Sequence, residues 1–401
     1  MCGINRGYIA IVTKIEVNEK SQMKILYLST WDFTNEASDG VCRKLYSQIG
    51  VLEKYGYKVD FVYIKNRKIL YREDGIIREI GTVGKIKKTI AYAKMYKWLK
   101  NKEYDWIYNR YGMMDTFYYR LLKRLYRNGS RILIEIPTYP YAGEKPRGFL
   151  YRLLFVWDRC YLHKLKRIID RIVTYSNDEL IFNIPTIQVK NGIDLSNVPV
   201  AVMEGQLDDV IDLIIVAYMQ PYHGYERLLS GLRNYYKNAG MRKIHCHFVG
   251  DGPERSIYEY LTVQYGLQKH VTFYGSLHGE KLDQIFNSCD IGVCSLGGYK
   301  KGMFLSSELK SREFLARGLP IISGVKVDIF TNMDSQYYLE FPNDATDIDM
   351  MEIIQFYDRI YNNSNTVQKV RRTIRDVAEK NVSMLNTMLP ITDYIKRIGI
   401  D

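Results

Sequence analysis

The sequence predicts an α/β chain of two doubly wound domains facing each other across a cleft. Strand-like apolar runs alternate with helical patterns of about 15 to 20 residues, which implies mostly parallel sheets covered on both faces. The alternation breaks near residues 184–199 and then starts again. Charge balance changes at the same place: residues 1–200 hold 35 Lys and Arg against 20 Asp and Glu, whereas residues 201–401 hold 22 against 25.

Met23-Lys-Ile-Leu-Tyr-Leu-Ser29 reads as the opening strand, followed by a polar loop to Gly40, a helix ending at Gly56 and a strand from Lys58 to Ile64. Trp106–Tyr108, Arg131–Ile136 and Arg171–Thr174 read as further strands, with helices at Lys85–Lys100, Thr116–Arg127 and Phe149–Ile169. Pro185, Pro199 and Asn191-Gly192 then interrupt the periodicity. The second unit runs through the strand Leu213–Ala217, a helix from Tyr225, the strand Ile244–Val249, the loop Gly250–Pro253, a helix and the strand Val271–Tyr274. The helix Glu280–Ser288, the strand Asp290–Ser295, the helix Glu308–Arg317 and the strand Pro320–Ser323 complete it. The expected division is an extension over 1–22, a first domain over 23–186, a second over 187–380, and a C-terminal helix over 381–401 that packs back on the first. Met23 reads as an alternative start. Two such domains hold ligands between the carboxyl ends of their strands.

Composition excludes several classes. With 46% hydrophobic and 25% charged residues the chain is ordinary globular material. No run approaches the roughly 20 apolar residues of a membrane-spanning helix. Cys2, Cys42, Cys160, Cys246, Cys289 and Cys294 lie scattered without metal or disulfide spacing, which suits a reducing cytoplasm. Residues 1–22 lack the long apolar core and cleavage site of a secretory signal. The net charge of +12 is concentrated between Lys85 and Arg171, where 21 basic residues meet 7 acidic ones. That region should attract an anionic surface or substrate: lipid headgroups, lipid diphosphates or nucleic acid. Nucleic acid is set aside, because no helix-turn-helix, zinc-finger or ribonucleoprotein motif accompanies the charge. The stripe Tyr92, Met95, Tyr96 and Leu99, with Lys87, Lys94 and Lys97 beside it, fits a helix lying on an anionic membrane or one packed on a core.

Candidate chemistry begins at Ser38-Asp39-Gly40-Val41, where Gly40 opens a helix and lets backbone approach a phosphate. In the second half, Val189-Lys-Asn-Gly-Ile-Asp194, Val216-Ala-Tyr-Met-Gln-Pro-Tyr-His-Gly-Tyr225 and Phe248-Val-Gly-Asp-Gly-Pro253 follow in order. They are succeeded by Val271-Thr-Phe-Tyr-Gly275 and Glu308-Leu-Lys-Ser-Arg-Glu-Phe-Leu-Ala-Arg-Gly-Leu-Pro320. This order resembles the family 4 (group 1) glycosyltransferases of the GT-B fold, two Rossmann-like domains. Ile134-Glu-Ile-Pro-Thr-Tyr-Pro-Tyr141 is similar to a capsule and exopolysaccharide branch of that family.

The resemblance implies a retaining, metal-independent hexosyl or N-acetylhexosaminyl transferase acting in cell-surface polysaccharide synthesis. The second domain would hold a nucleotide-sugar donor, taken to be UDP-linked, and the first a glycan or lipid-diphosphate-linked acceptor. No cofactor or metal is expected, and Asp347-Ile-Asp349 lies after the last motif. The expected location is cytoplasmic, peripheral at the inner face of the cell membrane.

Ser306, Lys310, Glu313 and Arg317 share helical spacing, so diphosphate is expected at a helix start near Ser306 and Ser307, beside the Lys310 ammonium. Glu313 matches the second Glu of the family's E-x7-E motif, implying a ribose ligand, and equally suits an i, i+4 partner for Arg317. The first Glu falls at Leu305, and the family's Arg and Lys phosphate clamp falls at Tyr218 and His223. Lys310 and Arg312 are expected to supply the missing charge, with His223 donating one hydrogen bond. Gly250, Gly252 and Gly275 sit at strand ends where the resemblance places the nucleotide. Glu135 is a candidate acceptor-side base or orienting carboxylate. The departures at Leu305, Tyr218 and His223 also suit a catalytically degenerate GT-B partner that assists another transferase.

Overall fold

The computed structural model describes residues 22–34, 40–84, 88–112, 116–137, 139, 158, 161, 164–202, 209–331, 335–361 and 366–399. Residues 1–21 of the expected extension and more than half of the expected helix at Phe149–Ile169 lie outside them, as do Ser38, Asp39, Thr138, Pro140 and Tyr141.

Strand β1 (Lys24–Asp32) buries six consecutive residues, as a central strand covered on both faces does. Helix α1 (Gly40–Lys54) turns Cys42, Leu45, Ile49 and Leu52 onto the sheet at helical spacing. After β2 (Lys58–Lys65) the chain forms an antiparallel hairpin of β3 (Lys68–Glu73) and β4 (Ile76–Thr82). Asp74-Gly75, both at positive φ, makes its two-residue turn. Then come α2 (Lys88–Leu99), β5 (Trp106–Arg110), α3 (Thr116–Arg127), β6 (Arg131–Ile136), β7 (Arg171–Thr174), β8 (Leu180–Ile181) and β9 (Ile184–Gln188). The sheet order is β4-β3-β2-β1-β5-β6-β7-β9-β8, parallel except at the hairpin and β8. The expected boundary between 186 and 187 is corrected: it falls inside β9, which pairs with β7 through Gln188 despite Pro185. Proline is tolerated there because β9 lies near the sheet edge, with two-residue β8 beyond it.

The second domain contains β10 (Val210–Val216), α4 (Glu226–Lys237), β11 (Lys243–Val249), α5 (Arg255–Gln264), β12 (Val271–Gly275), α6 (Glu280–Asn287) and β13 (Ile291–Val293). It continues through β14 (Leu305–Ser306), α7 (Leu309–Ala316), β15 (Ile321–Ser323), β16 (Lys326–Val327) and β17 (Tyr338–Glu340). Its main sheet, β12-β11-β10-β13-β15-β17, is parallel throughout. Helices α8 (Met350–Tyr361) and α9 (Val367–Val382) close this domain's core. The chain then crosses back: α10 (Met384–Thr387) and α11 (Leu389–Ile398) bring Met384, Met388, Ile391, Tyr394 and Ile395 into the first domain's core, with Tyr394 edge-on to Trp106.

At the amino ends of the second sheet, Asp290 is buried just before β13. Its carboxylate accepts the Asp212 N–H at 2.9 Å, and its other oxygen has no partner among the described residues. Burial pushes this carboxyl up to about 7, a rise that the Asp212 charge supports and the Asp212 N–H and Arg371 oppose. Between about pH 4 and 7 the unfolded chain has lost this proton while the folded chain keeps it, so raising pH through that window favours unfolding. Replacing Asp290→Asn should remove this slope and make the variant more stable than the parent above pH 7, by about 4 kcal/mol at most. Denaturant melts from pH 4 to 8 check it; parallel curves for the two proteins would refute the assignment.

Candidate functional site

The carboxyl ends of both sheets meet across a cleft, and the two helices that start there come within contact. Gly40 opens α1 on one side, and a β-carbon at Gly40 would lie 3.7 Å from Leu309, the first residue of α7 on the other. A cavity of ≈ 540 Å³ lies between α1 and the second domain, lined by Gly40, Lys44, Ser47, Asp194, Leu309 and Glu313 among others.

On the first-domain side Glu135, at the end of β6, is fully buried. It accepts hydrogen bonds from Tyr108 Oη at 2.7 Å and Gln48 Nε2 at 2.8 Å, pairs with Arg110 at 2.6 Å and lies 3.6 Å from Lys44 Nζ. Burial alone would raise its pKa, but Lys44, Arg110 and the two hydrogen bonds carry it down to about 2. A carboxylate so placed is a poor proton acceptor at neutral pH, which corrects the expectation of a base. The carboxylate orients protein groups instead. Lys44, pulled down to about 8 chiefly by burial, also donates to Asn191 Oδ1 at 2.7 Å.

From Asn191 the bonds continue into the second domain. Its Nδ2 donates to Ser307 O at 2.7 Å, and its carbonyl accepts from Arg312 Nε at 3.1 Å. Arg312 is fully buried, donates to Ser307 Oγ and Ser311 Oγ and pairs with Asp328 at 2.5 Å. Its guanidinium is taken up by protein acceptors, which corrects its expected role as a phosphate cation. Ser306 is likewise not on the helix. It is buried in the two-residue strand β14 beside β16, while α7 starts at Leu309 behind an N-cap residue, Glu308, whose side chain caps nothing. The amides free at that helix start therefore belong to Leu309, Lys310 and Ser311 rather than to Ser306 and Ser307.

Lys310 faces the strand ends. Its Nζ donates to Tyr225 Oη at 3.1 Å and Ser295 Oγ at 3.3 Å, and Glu308 Oε2 lies 3.7 Å away. Ser295 in turn donates to Glu308 Oε1 at 2.5 Å. Glu313, on the cavity wall, meets Arg317 at 3.4 Å, and Arg317 also pairs with Asp283 at 2.6 Å. His223 is buried and pulled down to about 2, first by burial and then by Lys310 and Lys301. It is neutral, and its Nδ1 accepts the Gln220 N–H at 3.2 Å, leaving its proton on Nε2. Gly250 and Gly252 take φ of 126° and 138°, conformations open to glycine, and their faces abut the backbone of Ala217 and Met219. Gly250 N–H also donates to Gly275 O at 2.7 Å, so the three strand ends are laced together. In the connections that follow β10 and β13, Tyr218 is 68%, Phe304 76% and Leu305 37% exposed. Asp347 and Asp349 stand elsewhere, bonded to Asn234 and to the Met351 N–H.

Residues 204–300 match the model of the glycosyl transferases group 1. That segment carries Tyr218, His223, Gly250, Gly252 and Gly275 and ends before Lys310 and Glu313. A search of curated proteins finds no sequence match. Solved structures overlay along nearly the whole chain. A glycosyltransferase from Rickettsia africae ESF-5 does so with a TM-score of 0.63 at 12% identity, over 94% of this chain and 99% of that one. Sucrose-phosphate synthase from Thermosynechococcus elongatus gives 0.64 at 14% identity, over 94% and 100%. The Anabaena protein HepE, in complex with UDP, gives 0.58 at 12% identity, over 94% and 100%. The fold is GT-B.

Sequence reasoning missed Lys44, Asn191, Ser295 and Glu308. Asn191-Gly192 was legible as a break but not as a bridge, and Lys44 carries no motif at all. Breaking the buried pair should be costly, because it leaves two cations facing a neutral group. Glu135→Gln is expected to lower stability by about 3 kcal/mol at pH 7. Since the wild-type carboxyl titrates near 2 rather than its usual 4.5, the deficit should shrink as pH falls from about 4.5 towards 2. Chemical denaturation across that range checks both statements.

Proposed function

We propose that this chain is a retaining glycosyltransferase that moves a hexosyl or N-acetylhexosaminyl unit from a nucleotide sugar, UDP-linked, to a glycan or lipid-diphosphate-linked acceptor in cell-surface polysaccharide synthesis. The observation that carries the reading is Lys310, in the first turn of a helix aimed at the cleft, at the carboxyl ends of a parallel sheet within a GT-B fold. The group 1 match over 204–300 and the UDP bound by the Anabaena neighbour support it.

In this reading the diphosphate lies against the α7 amides and the Lys310 ammonium, whose attraction grows as the glycosidic bond breaks and charge collects on the leaving group. Glu313 accepts from the ribose hydroxyls, held in place by Arg317. Gly250, Gly252 and Gly275 let the strand ends approach the nucleoside. Because Glu135 is held as an anion by four partners, the acceptor proton passes to the departing phosphate on the same face, and no enzymic base is invoked. Metal is not required. The exposed Phe117 and Tyr126 on α3, beside the exposed Arg120, Arg124 and Arg127, support a charge-driven contact of the first domain with an anionic membrane at the cytoplasmic face. No helix among the described residues is long and apolar enough to cross a membrane.

A second reading, a degenerate partner of another transferase, is favoured by neutral His223 and exposed Tyr218 where cations would serve a phosphate, and by Leu305 where the family motif has a carboxylate. Thermal shift against a panel of nucleotides and nucleotide sugars separates the two, since a ligand of the native state at about 100 times its Kd adds roughly 2.7 kcal/mol. A transferase shows a shift and EDTA-resistant donor hydrolysis; a partner shows neither. Within the first reading, Glu313→Gln should weaken nucleoside and nucleotide binding alike. Lys310→Met should spare the nucleoside and lower turnover by about a hundredfold. Equal profiles for the two variants would overturn their separate roles. Liposome flotation tests the membrane contact: binding to anionic vesicles should fall with added salt, and equal binding to neutral vesicles would refute it.

A further inference from the structure

Lys310 alone is a weak partner for a diphosphate, since Glu308 lies 3.7 Å from its ammonium and offsets part of its charge. A second cation also acts on His223, since Lys301 as well as Lys310 lowers its pKa. Lys301 ends the short helix Gly298–Lys301, in the connection that follows β13, and its Nζ lies 4.7 Å over the Tyr222 ring. The row continues without a break. Tyr222 and His223 rings are 4.8 Å apart, His223 and Tyr225 are 5.5 Å apart, and Lys310 Nζ reaches Tyr225 Oη. Two ammonium groups therefore flank one neutral imidazole.

The groups around this row are unequally committed. Lys300, one residue before Lys301, is ion-paired with Glu226, whereas no carboxylate among the described residues pairs with Lys301, which is exposed. The His223 Nε2–H likewise has no acceptor among the described residues. A ring N–H without a protein acceptor is free to donate to an entering anion. The loop that carries His223 and the connection that carries Lys301 are fixed against each other: Gly224, at φ 67°, packs directly on Gly297, and Leu296 N–H donates to His223 O at 2.7 Å. The spacing of the row is thus set by backbone contact rather than by the long side chains.

We infer that Lys301 is the second cation of the donor site, bracketing a diphosphate from the side opposite Lys310 while His223 Nε2–H donates to it. This assignment rests on the nucleotide-sugar reading for the nucleoside, but not for the anion. The charge that the family motif would carry at positions 218 and 223 is supplied instead from position 301, in the connection that follows β13. Exposure suits the role, because an ammonium over a tyrosine ring can swing onto an entering anion without breaking an ion pair.

Calorimetric titration of the full chain with uridine, UDP and inorganic pyrophosphate tests it. Lys301→Met should weaken UDP and pyrophosphate about tenfold or more and leave uridine unchanged, and Lys301→Arg should restore most of the loss. Lys301 is exposed, so the melting temperature of both variants should match the parent's. If the parent binds UDP and Lys301→Met binds it equally well, the bracket is wrong and the nucleotide reading stands. Pyrophosphate binding that depends on Lys301, with no affinity for uridine or UDP, keeps the bracket and removes the nucleotide reading. A parent that binds none of the three overturns both.

Discussion

The arrangement of the cleft depends on a buried carboxylate. Glu135 has no water to stabilise its charge, so its position is tolerable only while Arg110, Lys44, Tyr108 and Gln48 all point at it. Lys44 then fixes where α1 begins, and through Asn191 it fixes Ser307 and Arg312 ahead of α7. In a low-dielectric interior such a chain behaves as a unit, because freeing any member leaves its neighbour charged or polar and unpaired. Two helix starts on separate domains are held in mutual register by it.

That division of labour explains which cations are available for chemistry. Arg312 and Arg110 are consumed in holding the domains, and their charges are fully answered by Asp328 and Glu135. The remaining ammonium groups at the strand ends have weak or distant partners. The connections after β10 and β13 also expose aromatic and aliphatic side chains, Tyr218, Phe304 and Leu305, which suit sugar rings and hydrocarbon more than ions.

Much of the fold was legible because periodicity reports burial. Four apolar residues in a row at β1, Ile25 to Leu28, and Cys42, Leu45, Ile49 and Leu52 on α1, leave little choice of element. The hairpin of β3 and β4 was not read: β4 is exposed almost throughout, so its pattern says nothing of a core, and Asp74-Gly75 was the one local signal. Strand β9 was mistaken for linker because Pro185 masks an edge position. Order and spacing singled out Lys310, Glu313 and the strand-end glycines; Lys310 bonds Tyr225 and Ser295, and Glu313 lies on the cavity wall. Arg312 was misassigned because its partner, Asp328, lies beyond the helix and the next strand, where no local pattern reaches. Lys44 and Asn191 were invisible for the same reason, since sequence spacing describes neighbours on one element and their bond spans two domains.

The return of α10 and α11 has a consequence for how the molecule is made. Trp106, Tyr57 and the other residues on that face of the first sheet receive their cover from Met384, Met388, Ile391, Tyr394 and Ile395, which are synthesised after the entire second domain. On the ribosome the first domain must wait, with an apolar face open to solvent, while the second can complete its own core first. Order of synthesis and order of folding are thus partly inverted in this chain. The late helices act as the closing step that makes the first sheet, and with it the cleft, a finished surface.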